Sequence, residues 1–130
     1  MYLSAGSKPI ISVIIVNRNT KNLLKDCIES LPLGFSAIPY EVWVVDNGSE
    51  DGSVEMLTNY YPHIHLIQNP TNLGFAKANN QALRRIDSPF ALLLNSDTLL
   101  TKNSIVTLYH FFENHPTAAV VGPKLINKDG

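Results

Sequence analysis

The chain has 130 residues, 45% of them hydrophobic and 16% charged, with a formal net charge of −1. That supply of apolar side chains supports one packed core and excludes intrinsic disorder. The near-neutral balance, with no stripe of Lys or Arg, excludes binding driven by neutralising nucleic-acid phosphates. The single cysteine, Cys27, can form no internal disulfide and has no companions at metal-site spacing, so it reads as a small buried hydrophobe. Met1 to Pro9 lacks the apolar stretch of a signal peptide, and no apolar run approaches the roughly 20 residues of a membrane span. The expectation is a soluble, cytoplasmic protein, with peripheral attachment to the inner face of a membrane as the variant.

Strands and helices alternate along the chain. Ile10 to Val16 is almost entirely β-branched and reads as a strand buried on both faces. Asn19-Thr20 offers a helix cap, and Leu23, Leu24, Cys27, Ile28 and Leu31 follow at helical spacing until Pro32 and Gly34 are expected to end the helix. Tyr40 to Val45 is a second strand, and Asn47-Gly48-Ser49 a turn. Ser53, Val54, Met56, Leu57 and Tyr60 mark a capped helix closed by Pro62; Ile64 to Ile67 is a short third strand. After the loop from Asn69 to Gly74, Phe75, Ala78, Ala82, Leu83 and Ile86 mark an amphipathic helix. Phe90 to Leu94 is a fourth strand, Ile105 to Phe112 a helix, and Ala118 to Val121 a fifth strand. The pattern predicts an α/β fold of the Rossmann-like, three-layer α/β/α kind, with a mainly parallel sheet and right-handed crossovers. The closing Asp129-Gly130 is a turn signal that normally leads into another strand, so the expectation is a chain cut short at its C-terminus.

Polar residues gather where the strands end, which in an open parallel sheet is the ligand crevice. Leu92-Leu93-Leu94 runs into Asn95-Ser96-Asp97, and Val44-Val45 runs into Asp46-Asn47-Gly48-Ser49. Asn17, Arg18 and Asn19 end the first strand. Two carboxylates and this cluster on one edge suggest a site for a nucleotide or a metal. Asp97 can hold Mg²⁺ or Mn²⁺, which prefer oxygen ligands and often take only one or two protein carboxylates while phosphates supply the rest; otherwise it caps the next turn. Asp46 can accept from the imide N–H of a pyrimidine, or it closes an Asx-turn. Gly74 opens a helix whose free N–H groups, with Lys77, suit phosphate, although neither a Walker A loop nor a dinucleotide fingerprint is present. Asp51 and Ser53 read as turn and cap residues. The four histidines read as structural or surface side chains, and there is no nucleophile elbow.

Four segments in order resemble the family 2 nucleotide-sugar glycosyltransferases of the GT-A fold. They are Ile11 to Asn19, Val44 to Ser53, Asn72 to Asn80, and Leu92 to Asp97. The Asn-Leu-Gly-Phe segment, Asn95-Ser96-Asp97, and Val120 to Leu125 look most like the rhamnosyltransferase-like branch. The resemblance implies metal-assisted, inverting transfer of a sugar from a nucleotide-diphosphate donor (a UDP- or dTDP-sugar) to a saccharide or lipid-linked acceptor, as in cell-wall or polysaccharide biosynthesis. It implies that Asn17, Arg18 and Asn19 lie beside the nucleotide, that Asp46 contacts the base, and that Asn79 and Asn80 line the donor pocket. Asn95 and Asp97 stand in the Asp-x-Asp element, with Asp97 reaching a divalent Mg or Mn ion. Asn95 replaces the first Asp of that element, and Asn79 replaces the family's Arg. The family's general base lies in its C-terminal half, so no catalytic residue is assigned in this chain. Residues 1–9 are then a tail, and residues 10–130 the nucleotide-sugar-binding half of a GT-A domain, inactive alone. Its fifth strand would be an exposed edge able to drive self-association. The second reading is a nucleotide-binding module without catalysis. A phosphoacceptor domain would need an acidic pair where Asn17-Arg18 stands.

Overall fold

The computed structural model describes residues 8–124 and residue 126. Four parallel strands form one sheet in the order β3-β2-β1-β4. The chain-order elements are β1 (Ile11–Asn17), α1 (Lys21–Phe35), β2 (Tyr40–Asn47), α2 (Ser53–Tyr60), β3 (His65–Asn69), α3 (Phe75–Leu83), β4 (Phe90–Asn95) and α4 (Ser104–Asn114). β1 is central because its β-branched run can be covered on both sides. Ile11, Val13 and Ile15 enter the main core with Leu24, Leu31 and Phe35 of α1, Met56 and Leu57 of α2, and Ile105 of α4. Ile14 turns the other way, to Val45, Ile67, and Ala78 and Ala82 of α3. This is the expected three-layer α/β/α arrangement. The chain steps outward from β1 to β2 and β3, then crosses back to β4 on the far side of β1. With right-handed crossovers, that reversal puts α3 on the face opposite α1 and α2. It also makes the carboxyl ends of β1 and β4 the switch point at which such sheets bind ligands.

α3 does not reach across β4. Leu93 is in register with Ile14 on the same face, yet it remains 50% exposed.

Two sequence expectations fail here. Pro32 and Gly34 do not end the first helix, which continues to Phe35. A proline inside a helix costs about 3 kcal/mol. Burial of Leu31 and Phe35 on either side of it, each worth about 1.5–3 kcal/mol, offsets that cost. Gly34 is a packing residue: a Cβ there would lie 2.6 Å from Leu100 Cδ1, so α1 can approach the β4–α4 loop only with glycine. Ala118 to Val121 is not a strand; among the described residues β4 pairs only with β1, and Val121 instead lines an apolar cavity with Phe90, Leu92 and Tyr109. β-branched and apolar character alone cannot make a strand without a ladder partner beside it. The open edge therefore belongs to β4.

Candidate donor site at the carboxyl edge

All four strands end in asparagine: Asn17, Asn47, Asn69 and Asn95. The first three are buried, and each is bonded to side chains of the neighbouring strand ends or loops. Asn95 is exposed, and its side chain makes no hydrogen bond to a described residue.

On the α1 face, Asn17 and Asp46 are directly opposite in the β1–β2 register. Asn17 is 0% exposed and Asp46 1%. Asn17 Nδ2 donates to Asp46 Oδ2 at 2.9 Å and to Ser49 Oγ at 3.2 Å. The other Asp46 oxygen accepts from the Ser49 backbone N–H at 2.8 Å, closing an Asx-turn. Thr20 Oγ1 donates to Asn17 Oδ1 at 2.7 Å and is 2.9 Å from Ser96 Oγ, in the turn after β4. A carboxylate buried in this way is tolerable only because each oxygen is hydrogen-bonded.

Asn19 and Arg18 are exposed beside this cluster. Asn19 has φ +52°, a left-handed conformation that asparagine tolerates better than most residues. Its N–H donates to Ser49 Oγ at 2.9 Å, and its Oδ1 accepts from Glu50 N–H at 2.8 Å, stitching the β1 and β2 loops together. Thr20 takes the N-cap position of α1 but does not cap it; its hydroxyl is spent on Asn17. Asp51 does the capping for both helices. One carboxylate oxygen accepts from Lys21 N–H at 2.8 Å, the other from Ser53 N–H at 3.0 Å and Ser53 Oγ–H at 2.5 Å. Burial pushes its acidity down, but the bonds from the Ser53 hydroxyl and the Lys21 and Ser53 amides outweigh it and hold the carboxyl below its ordinary value.

Asp97 contrasts with Asp46. It is exposed, and its carboxylate makes no hydrogen bond to a described residue. Cys27 lies beneath its turn: the thiol donates to the Asn95 carbonyl at 3.6 Å, and burial, then the Asp97 charge, push its pKa up to about 12. The thiol is therefore inert, as expected of a packing cysteine. Among the described residues, no three His, Cys, Asp or Glu side chains gather as a metal cage. The donor set still fits a hard cation of the Mg²⁺ type, which takes one carboxylate and completes its shell with water and phosphate oxygens.

On the α3 face, Asn47 Nδ2 donates to Asn72 Oδ1 at 3.2 Å, and its Oδ1 accepts from Asn69 Nδ2 at 2.9 Å. Asn69 and Gln81 exchange two bonds, at 2.8 and 2.9 Å. Asn72 Oδ1 also accepts from Gly74 N–H at 2.9 Å, which sets the start of α3, where Gly74 has φ +84°. Asn79 is buried and donates back to the Phe75 carbonyl at 3.0 Å, whereas Asn80 is exposed on the next position.

The structure thus brings Asn17, Asn19 and Asp46 into one bonded cluster, with Arg18 beside them and the Asn95–Asp97 turn attached through Ser96. Asn79 and Asn80 belong to α3, on the other face, with no hydrogen bond to that cluster. Sequence reasoning missed Thr20, Ser49 and Ser96 as connectors and Asn47, Asn69, Asn72 and Gln81 as a second network. The recurrence of asparagine at every strand end was the available signal.

A mainly parallel sheet with alternating helices on both faces is the α/β fold that the chain shares with GT-A glycosyltransferases of known structure. The Glycosyl transferase family 2 model matches residues 12–130, and the chain belongs to that family. A Bacillus subtilis glycosyltransferase provisionally assigned to teichuronic acid biosynthesis, TuaG, is 30% identical over 127 residues, covering 95% of this chain and 50% of the relative. The N-acetylglucosaminyl-diphospho-decaprenol L-rhamnosyltransferase of Mycobacterium tuberculosis is 25% identical, covering 93% of this chain and 43% of the relative. The rhamnosyltransferase-like branch is therefore one of several that the chain resembles. Staphylococcus aureus TarS 1-349 in complex with UDP superposes with TM-score 0.70 at 27% identity, over 82% of this chain and 32% of TarS. The chain spans about half the length of TuaG, or less of the other relatives. Among the described residues, no helix is long and apolar enough to cross a membrane.

Proposed function

We propose that residues 10–130 form the donor-binding half of a glycosyltransferase that moves a sugar from a UDP- or dTDP-sugar to a saccharide or lipid-linked acceptor. The observation that carries this reading is the exposed Asp97 at the switch point, unbonded among the described residues and following Ser96, which is tied to the buried Asp46 cluster, in a family 2 chain. TarS, solved with UDP, supports a uridine nucleotide as the first to test. In this reading Asp46 meets the base, with Arg18 and Asn19 beside the nucleotide, Asn95 near the ribose or the metal, and Asn79 and Asn80 on the donor-pocket wall. Asp97 holds a Mg²⁺ or Mn²⁺ ion, which would neutralise charge on the leaving diphosphate. Inverting attack needs a general base to deprotonate the acceptor hydroxyl, and no residue of this chain is assigned to it. Residues 10–130 alone are then a binding module without catalysis. The working place is the cytoplasm or the inner face of a membrane, and self-association runs through the open edge of β4.

Calorimetric titration of the chain with UDP and dTDP, with and without Mn²⁺, tests the donor site. Binding that Mn²⁺ tightens, with the tightening lost in Asp97→Ala, supports the reading. Absence of any metal effect in the wild-type chain overturns it.

A further inference from the structure

Building on the donor-site reading, we propose that Asn17 and Thr20 are positioning residues that couple the base end of the site to its cation end through a one-directional hydrogen-bond relay, Ser96 to Thr20 to Asn17 to Asp46. The direction follows from donor counting. A carboxylate only accepts, so the Asn17 group at 2.9 Å from Asp46 Oδ2 is the amide nitrogen, and the amide oxygen faces Thr20. Thr20 has one hydroxyl hydrogen, and it goes to Asn17 Oδ1 at 2.7 Å. Ser96, 2.9 Å away, must therefore donate to Thr20. Each link polarises the next, and all of them point at the buried Asp46 charge.

The relay crosses three strand ends, β2, β1 and β4, and runs from the Asp46 carboxylate to Ser96, the residue before Asp97. Asn17 does not serve as a ligand contact. It is fully buried, and both amide hydrogens and its oxygen are already committed, to Asp46, Ser49 and Thr20. It acts on a ligand through Asp46. Ser96 has its hydrogen committed inward, so its oxygen remains an acceptor one residue before Asp97. The rest of the turn is fixed to α1 by the Cys27 thiol on the Asn95 carbonyl and by Leu100 N–H on Ser30 Oγ at 3.0 Å. The Ser96 hydroxyl is the link by which a change at Asp46 reaches the Asp97 turn. Coupling of this kind is reciprocal: whatever the cation does for the nucleotide, the nucleotide does for the cation.

The test is the Mn²⁺-induced tightening of UDP binding, measured in the wild-type chain, Asp97→Ala, Thr20→Val, Thr20→Ser, Ser96→Ala and the Thr20→Val/Ser96→Ala double variant. Losing one relay bond should cut the tightening by about three- to ten-fold in Thr20→Val and in Ser96→Ala. Thr20→Ser, which keeps the hydroxyl, should restore it, and the double variant should be no worse than Thr20→Val. A metal-free readout accompanies this. Thr98 N–H bonds the Asn95 carbonyl at 3.1 Å, and UDP alone should slow its hydrogen exchange in the wild type but not in Thr20→Val. Tightening lost in Asp97→Ala but intact in Thr20→Val and Ser96→Ala overturns the relay and leaves the donor site standing. A wild-type chain that Mn²⁺ does not affect overturns both.

Discussion

The ends of β2 and β4 carry similar words, a hydrophobic run followed by a polar cluster with an aspartate, and the fold uses them in opposite ways. Asp46 is sealed between β1 and the β2–α2 turn, with both oxygens bonded. Asp97 sits at the switch point with its carboxylate in solvent. The difference comes from position in the sheet. β2 is flanked by β1 and β3, so its end is crowded by two loops. Among the described residues β4 has a neighbour on one side only, and α3 does not extend over it. A carboxylate held in a buried hydrogen-bonded cluster and one left in solvent are thus told apart by what flanks the strand, not by the local sequence.

Four substitutions break or sharpen that contrast. Asp46→Ala leaves the Ser49 N–H and the Asn17 amide without their acceptor, and it should destabilise the fold by about 2–4 kcal/mol, read as a lower denaturation midpoint. Asp97→Ala should shift stability by less than about 0.5 kcal/mol in the same measurement, while abolishing the metal effect on nucleotide binding. A comparable loss of stability in both variants would erase the distinction. Asn95→Asp supplies the acid that the family's Asp-x-Asp element carries, and it should tighten Mn²⁺ binding in the presence of UDP by about three- to ten-fold in a titration.

The smallest effect concerns Asp51, whose carboxyl is held below its ordinary value of 3.8 by the amides and hydroxyl it caps. A depressed folded-state value means that its contribution is fully present above the unfolded value and is lost as pH falls through the folded one. Asp51→Asn should therefore flatten the acid limb of the stability curve below about pH 4, with little change in the slope of the curve near neutrality. An unaltered acid limb would show that the double cap contributes nothing.

Much of the fold was legible because its signals are local. The β-branched run ending at Val16 can only be a doubly buried strand, and Leu24, Cys27, Ile28 and Leu31 fall on one helical face whatever surrounds them. The gathering of Asn17, Asp46 and Asp97 on one edge followed from strand–helix alternation, since parallel strands all end on the same side. Pro32 and Ala118–Val121 misled because propensity is weaker than packing: burial of Phe35 carries α1 past its proline, and among the described residues no partner strand flanks Val121.

What tertiary structure alone decided is which polar groups are spent and which are free. The sequence by itself determined the parallel α/β order, the family motifs and an acidic, asparagine-rich edge. It could not tell that Asn17 is consumed by Asp46 and Thr20, that Asp51 caps two helices, or that Asp97 stays unbonded among the described residues. Beside near neighbours such as Thr20 and Ser53, those outcomes depend on hydrogen-bond partners 29 to 32 residues away on other loops, or on their absence. Hydrogen bonding demands tenths-of-an-ångström placement, which only the packing of α1 and the strand register supply.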